Sequence, residues 1–238
     1  MEKQILDAHI VAKNAQQEMQ SRLSMVFIKP KRILCMGFAV AGATESLKEL
    51  YPNAEIVIKD YSEDLYNSTN AGCEWGYSSG DLKDYEANSF DIVIGNLFFP
   101  WVLDKKALFA EWTRTLTKEG LLMFSSLGPD TLKEIKDNID FAPEFEDMHD
   151  IGDALQYLKF QDPVMDVDRV AIKYKTLVTM QNDLQFTGFK PCDFSNVADL
   201  SVSYEIIYAH ARNSAVSLEE NENIVKISLS EMREQLLK

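Results

Sequence analysis

FDIVIGNLFFPWVLDKKALFAEWTRTLTKEGLLMFSS, residues 90–126, carries the fold in one stretch. FDIVIGN (90–96) is a short, β-branched apolar run, which predicts a buried strand. Asp104 stands where a helix N-cap belongs, and Gly120 marks the stop of a helix over 104–116. LLMFSS (121–126) is a second buried run. Strand, helix and strand in succession predict a right-handed crossover joining parallel strands.

The alternation continues on both sides. Before it come a strand and tight turn in RILCMG (32–37), a helix from Ala43 to Tyr51 and a strand in EIVIKD (55–60). A short helix over 62–70 and a third strand from Glu74 to Ser78 follow. After it come a helix starting at Asp150, a strand in PVMDVDRVAIKY (163–174) and a helix from Thr176 to Phe186. SVSYEIIYAHA (201–211) alternates as a last strand should. At the N-terminus, Ile5, Ala8, Val11, Ala12, Ala15, Met19 and Leu23 recur at helical spacing over 3–24. Ser228 and Glu231 form a capping box for a C-terminal helix. The expected organisation is one α/β domain over 1–238. It has an N-terminal helical segment (1–29), a core (30–211) and a tail (212–238).

The chain has 24 basic and 38 acidic side chains, a formal net charge of −14. Such a surface repels phosphate backbones, which argues against a nucleic-acid partner. The three cysteines, Cys35, Cys73 and Cys192, are scattered and odd in number. They suit neither a disulfide framework nor a zinc site, so a reduced, cytoplasmic setting is expected and no metal. No apolar run approaches the roughly 20 residues that span a bilayer, and the first twenty residues lack a signal-peptide core.

The candidate ligand site lies at the strand ends. GFAVAG (37–42) follows the first strand, where small residues let a backbone approach a nucleotide closely. Asp60 ends the second strand and can accept hydrogen bonds from ribose hydroxyls. Asp81 follows the third strand and can accept from an adenine amino group. Asn96 ends the fourth strand beside the crevice. Together these point to an adenosine-containing ligand. From the turn alone a nicotinamide-dependent oxidoreductase fits as well, because Gly37, Ala39 and Gly42 nearly spell its glycine motif.

The segment from Phe90 to Ile135 separates the two. Asn96, Leu97, Trp101, Glu111, Trp112, Gly120 and Gly128-Pro129-Asp130-Thr131-Leu132 match the motif residues of a known family. DMHDIGDAL (147–155), DPVMDVDR (162–169) and SYEIIYAHA (203–211) match three more of its segments. The chain resembles the carrier-protein malonyl O-methyltransferases of early biotin synthesis over nearly its whole length. It departs from them at the first turn. The family's acid-x-Gly-x-Gly-x-Gly is here Cys35-Met36-Gly37-Phe38-Ala39-Val40-Ala41. Ile10 and Val11 stand in place of the family's Tyr-Asp if Gln17 is its following glutamine, and the stretch from Gly188 to Ser203 is short.

The resemblance implies a Rossmann-like class I methyltransferase fold: a mostly parallel seven-stranded sheet with helices on both faces. It implies S-adenosylmethionine as cofactor, held by Gly37, Ala39, Asp60, Asp81, Leu82, Asn96, Leu97 and Trp101. The substrate would be the free carboxylate of a malonyl group on an acyl carrier protein. That carboxylate is ionised at neutral pH and needs no general base. Arg169, Lys173 and Arg212 are candidates to hold it. His149 and His210 read as structural. The alternative is a non-catalytic relative that keeps the fold and binds a partner protein, which the altered turn and acidic surface would fit.

Overall fold

The computed structural model describes residues 10–37, 43–60, 74–77, 80–141, 143–186, 188–191, 193–194, 197 and 199–214. Ala39, the expected helix at 62–70 and the C-terminal helix beyond 228 lie outside them. The chain runs α1 (Ile10–Ser24), β1 (Arg32–Met36), α2 (Ala43–Leu50), β2 (Glu55–Asp60), β3 (Glu74–Tyr77) and β4 (Phe90–Gly95). It continues through α3 (Lys105–Thr115), β5 (Leu116–Leu127), β6 (Ile139–Phe141), α4 (Met148–Tyr157), β7 (Gln161–Lys173), α5 (Leu177–Phe186), β8 (Lys190–Pro191) and β9 (Ser201–Arg212).

Seven strands form one sheet in the order β3-β2-β1-β4-β5-β9-β7. The first five are parallel; β9 lies antiparallel between β5 and β7. This is the mostly parallel, Rossmann-like sheet expected from the alternation of strands and helices. Each face is covered by helices because the central strands are apolar on both sides. On one face Ile33, Ile58, Ile92, Ile94 and Met123 meet α1, α2 and α5. On the other, Leu34, Met36, Val93, Leu122 and Phe124 meet α3 and α4.

Helix α1 buries Val11, Ala12, Ala15, Met19 and Leu23, the part of the expected stripe within the described residues. The two alanines let the helix lie close to the sheet. Arg22 then pins its far end, pairing with Asp166 on β7 at 2.6 Å and lying 4.7 Å over the Tyr208 ring. Opposite, Trp112 of α3 is fully buried against Phe99, Phe109 and Phe124. A methyl group on Gly95 would lie 3.4 Å from its ring. Burying an aromatic this completely is worth about 3–5 kcal/mol on truncation.

Two boundaries differ from the sequence reading for reasons visible in the packing. Helix α4 starts at Met148, not Asp150, because the Asp147 side chain accepts from His149 N and caps it. Strand β5 starts at Leu116, before Gly120, because the chain leaves α3 directly into pairing with Phe90. Asn213, from beyond β9, holds that exit by donating its amide to the carbonyls of Thr113, Leu116 and Thr117. A small antiparallel pair, β6 with β8, stands apart from the main sheet and was not foreseen.

Under α5 a polar group is buried. Asp183 is 1% exposed and accepts a hydrogen bond from the Tyr174 hydroxyl. Burial pushes its carboxyl up to about 6 and raises the Tyr174 and Tyr204 hydroxyls, so both phenols stay protonated. An acid raised above its unfolded value of about 3.9 binds its proton more tightly in the folded state. Its contribution therefore favours folding most below about pH 4 and is lost as pH rises through 6. Asp183→Asn should remove that dependence and add about 2 kcal/mol of stability above pH 6. Urea unfolding of both proteins from pH 4.5 to 8 checks this. A gap between them that shrinks with rising pH would contradict it.

Candidate active site

The strand order reverses between β1 and β4, which leaves a crevice at their C-terminal ends. Two residues shape it. Gly37 leaves β1 with φ +76° and donates its N–H to Lys59 O at 3.2 Å. A Cβ there would lie 2.5 Å from Asn96 O and 2.6 Å from Phe98 Cβ, so only glycine lets the two strand ends come this close.

Asn96 closes the other side. Its backbone N donates to Met36 O at 2.9 Å, and its Nδ2 donates to Ala12 O of α1 at 3.0 Å. Its Oδ1 accepts from Ser125 Oγ at 3.1 Å, and Ser125 Oγ in turn accepts from Leu97 N at 2.9 Å. Leu97 is buried in the left-handed region at φ 48°, a conformation held by these bonds. One residue thus ties the N-terminal helix, β1, β4 and β5 at one point.

Between α1 and this joint lies a hollow of about 440 Å³ including its open mouth. Gln16, Gln20, Cys35, Thr44 and Ile58 line it together with Gly37 and Asn96. Gln16 Oε1 is buried and has no hydrogen-bond partner among the described residues. Neither has Trp101 Nε1, which follows the end of β4. The acceptor on Gln16, left unpaired in the wall of the hollow, is a group that a polar ligand would satisfy. The residues present therefore fit a ligand with an apolar body and a charged, hydrogen-bonding end.

Asp60 ends β2 one residue past Lys59, whose register partner is Met36, so its backbone reaches the same edge. Asp81 is exposed, and Lys83 donates to it from both its backbone N and its Nζ. The Lys83 hydrogen bond holds its carboxyl below the usual range. Leu82 is buried on the α3 face; its N donates to Glu111 Oε2, and its carbonyl accepts from Arg114. Trp101 packs edge-on against Phe189, with ring centroids 5.3 Å apart.

Among the basic candidates, Arg169 donates to Glu205 Oε1 at 2.8 Å beside Asp130, at the crevice end of the sheet. Lys173 pairs with Ser201 near the same end. Arg212 pairs with Leu121 at the opposite end and donates to Glu119 O, which places it away from the crevice. His149 sits in the first turn of α4 with an exposed ring, and His210 is a partly buried residue of β9. Among the described residues no three His, Cys, Asp or Glu side chains gather as metal ligands, and no helix is long and apolar enough to cross a membrane.

Two residues were missed. Gln16 sits on the buried side of α1, and a polar residue beside that apolar stripe was the available signal. Glu205 accepts from Asp130 N and Arg169, and its bulk is what Gly128 makes room for. The Gly-Pro-Asp-Thr segment is thereby fastened to β9, helped by Thr131 and the Glu205 backbone.

The family model for a methyltransferase domain matches residues 34–124. Malonyl-[acyl-carrier protein] O-methyltransferase 1 of Coxiella burnetii is 31% identical over 85% of this chain and 80% of its own. The malonyl-[acyl-carrier protein] O-methyltransferase of Legionella pneumophila is 33% identical over 76% of this chain and 68% of its own. The chain belongs to the malonyl-[acyl-carrier protein] O-methyltransferase family. Solved structures support the fold. The YcgJ protein of Bacillus subtilis superposes with a TM-score of 0.63 at 10% identity, covering 86% of this chain and all of that one. Phosphoethanolamine N-methyltransferase 2 of Haemonchus contortus, bound to S-adenosyl-L-methionine, gives 0.55 at 14% identity over 84% of this chain and 52% of its own.

The joint makes a direct prediction. Gly37→Ala should lower stability by about 2–4 kcal/mol, since it adds both a clash and a left-handed alanine. Denaturant unfolding measures this; a loss under 1 kcal/mol would mean that the strand ends are not in close contact.

Proposed function

We propose that this protein transfers a methyl group from S-adenosylmethionine to the free carboxylate of a malonyl thioester on acyl carrier protein, in early biotin synthesis. It does so in the cytoplasm, as one domain. The observation that carries the reading is the crevice at the β1–β4 reversal, with unpaired Gln16 Oε1 in its wall, in a chain of this family.

Bound there, the cofactor supplies an electrophilic methyl group on sulfonium sulfur. Asp60 is assigned to the ribose hydroxyls, and Gln16 Oε1 to an N–H of the methionine end. Gly37, Asn96 and Leu97 form the floor, and Trp101 bounds the acceptor side. Ala39, Asp81 and Leu82 complete the proposed set. The acceptor carboxylate is already anionic, so the protein has no proton to remove. Its work is to align oxygen with the methyl group and to exclude water. Arg169 and Lys173, at the crevice end, remain the cations proposed to steer the carboxylate.

The test is methyl transfer to the malonylated carrier of the same organism, followed as a 14 Da mass gain, about one methyl for one proton, at saturating cofactor. Asp60→Ala should weaken cofactor binding about tenfold or more, from the loss of a charged acceptor worth about 1.5–3 kcal/mol. A folded Asp60→Ala protein with unchanged affinity would remove the ribose assignment. No mass gain on the native carrier would end the methyl-transfer reading.

A further inference from the structure

The crevice is not the largest hollow at this end of the sheet. A second, of about 1110 Å³ including its open mouth, opens beyond the C-terminal end of β5. Thr131, Leu132, Lys136, Ile139, Phe145 and Phe189 are among its walls. Strand β6 builds one side through Ile139 and Asp140, and Ile139 pairs with Pro191 on β8. The small sheet missing from the sequence reading is therefore part of a pocket wall.

The position is informative. Phe189 stacks edge-on against Phe145 at 6.0 Å and against Trp101 at 5.3 Å. Gly188 lets the Trp101 ring come close; a Cβ there would lie 3.1 Å from it. Trp101 follows β4, whose end floors the cofactor crevice. A ring in the wall of the second hollow thus packs on the ring that follows β4. A substrate filling the second hollow would present its inner end near β4.

The lining is mixed. The rings and Ile139 suit the methyl and methylene groups of a chain. Asp140 and Glu144 also line the hollow and can accept from amide N–H groups. Lys136 is an exposed lining cation, and no carboxylate pairs with it among the described residues. An elongated chain with methylenes, amide N–H groups and an anion matches this set of groups.

We propose that this hollow seats the phosphopantetheine arm of the acyl substrate, with Lys136 at its mouth facing the arm's phosphate. The assignment rests on the methyl-transfer reading for the identity of the substrate. It also gives the Gly128–Thr131 segment a role: fastened by Glu205, it fixes the near wall of the hollow to β9.

The probes are malonyl-phosphopantetheine and malonyl-pantetheine, titrated calorimetrically into the full chain. Lys136→Glu should weaken the phosphorylated probe about tenfold and leave the unphosphorylated one unchanged, because only the phosphate loses its counter-charge. Ile139→Trp, which fills the hollow, should weaken both at least tenfold without changing adenosylmethionine affinity. Lys136 is exposed, so its substitution decides the matter even if Ile139→Trp fails to fold. Equal effects of Lys136→Glu on both probes, no effect on either, or no binding of either probe to the natural protein would overturn the proposal. Methyl transfer to the carrier that persists while these variants bind the probes normally would sink this inference and leave the function standing. Binding in the hollow without any methyl transfer would do the reverse.

Discussion

The contact on which the rest depends is the joint where β1 and β4 part. Gly37 and Asn96 meet there with no room for a side chain between them. A parallel sheet must open at its order reversal, and whatever holds the opening sets the shape of the site. Here the holding is done by one residue, through its side-chain amide and its backbone N–H. Asn96 reaches α1 through Ala12 O, β5 through Ser125 and β1 through Met36 O. The helix that roofs the crevice and the strands that floor it are therefore fixed by the same residue. That side chain has little freedom to reach a ligand, so its part in binding is mainly to position the backbone around it.

The motif residues shared with the family divide along the same line. Glu111 and Trp112 brace α3 against the 82–85 segment and the sheet, the first through Leu82 N and Arg114, the second through Met36 and Gly95. Gly128, Asp130 and Thr131 fasten the segment after β5 to Glu205. These groups hold the walls of both hollows. The chain departs from the family in the turn after β1, outside these fastened segments. A protein can keep both walls rigid while that turn changes.

The strands were legible because buried parallel strands are continuous apolar runs, as in FDIVIG and EIVIKD. The cap at Asp104 was legible because one acid preceded one helix. The sequence DMHD offered two acids, and the carboxylate that reaches an N–H two residues on is Asp147. The early start of β5 depends on Asn213, nearly a hundred residues away, and no local pattern reports such a contact. The β6–β8 pair was hidden for the same reason: two or three residues on each side leave no periodicity to read. Of the residues that the sequence placed at the strand ends, Gly37 and Asn96 line the hollow beside α1. Its unpaired oxygen on Gln16 became visible only when α1 was placed over the sheet.

The account stands or falls on where the cofactor lies. A crystal structure of the protein with S-adenosylhomocysteine tests it most directly. The account predicts the ligand across the ends of β1, β2 and β4, with the ribose at Asp60 and the methionine end toward Gln16. A ligand bound elsewhere, or an empty crevice at saturating concentration, would contradict it.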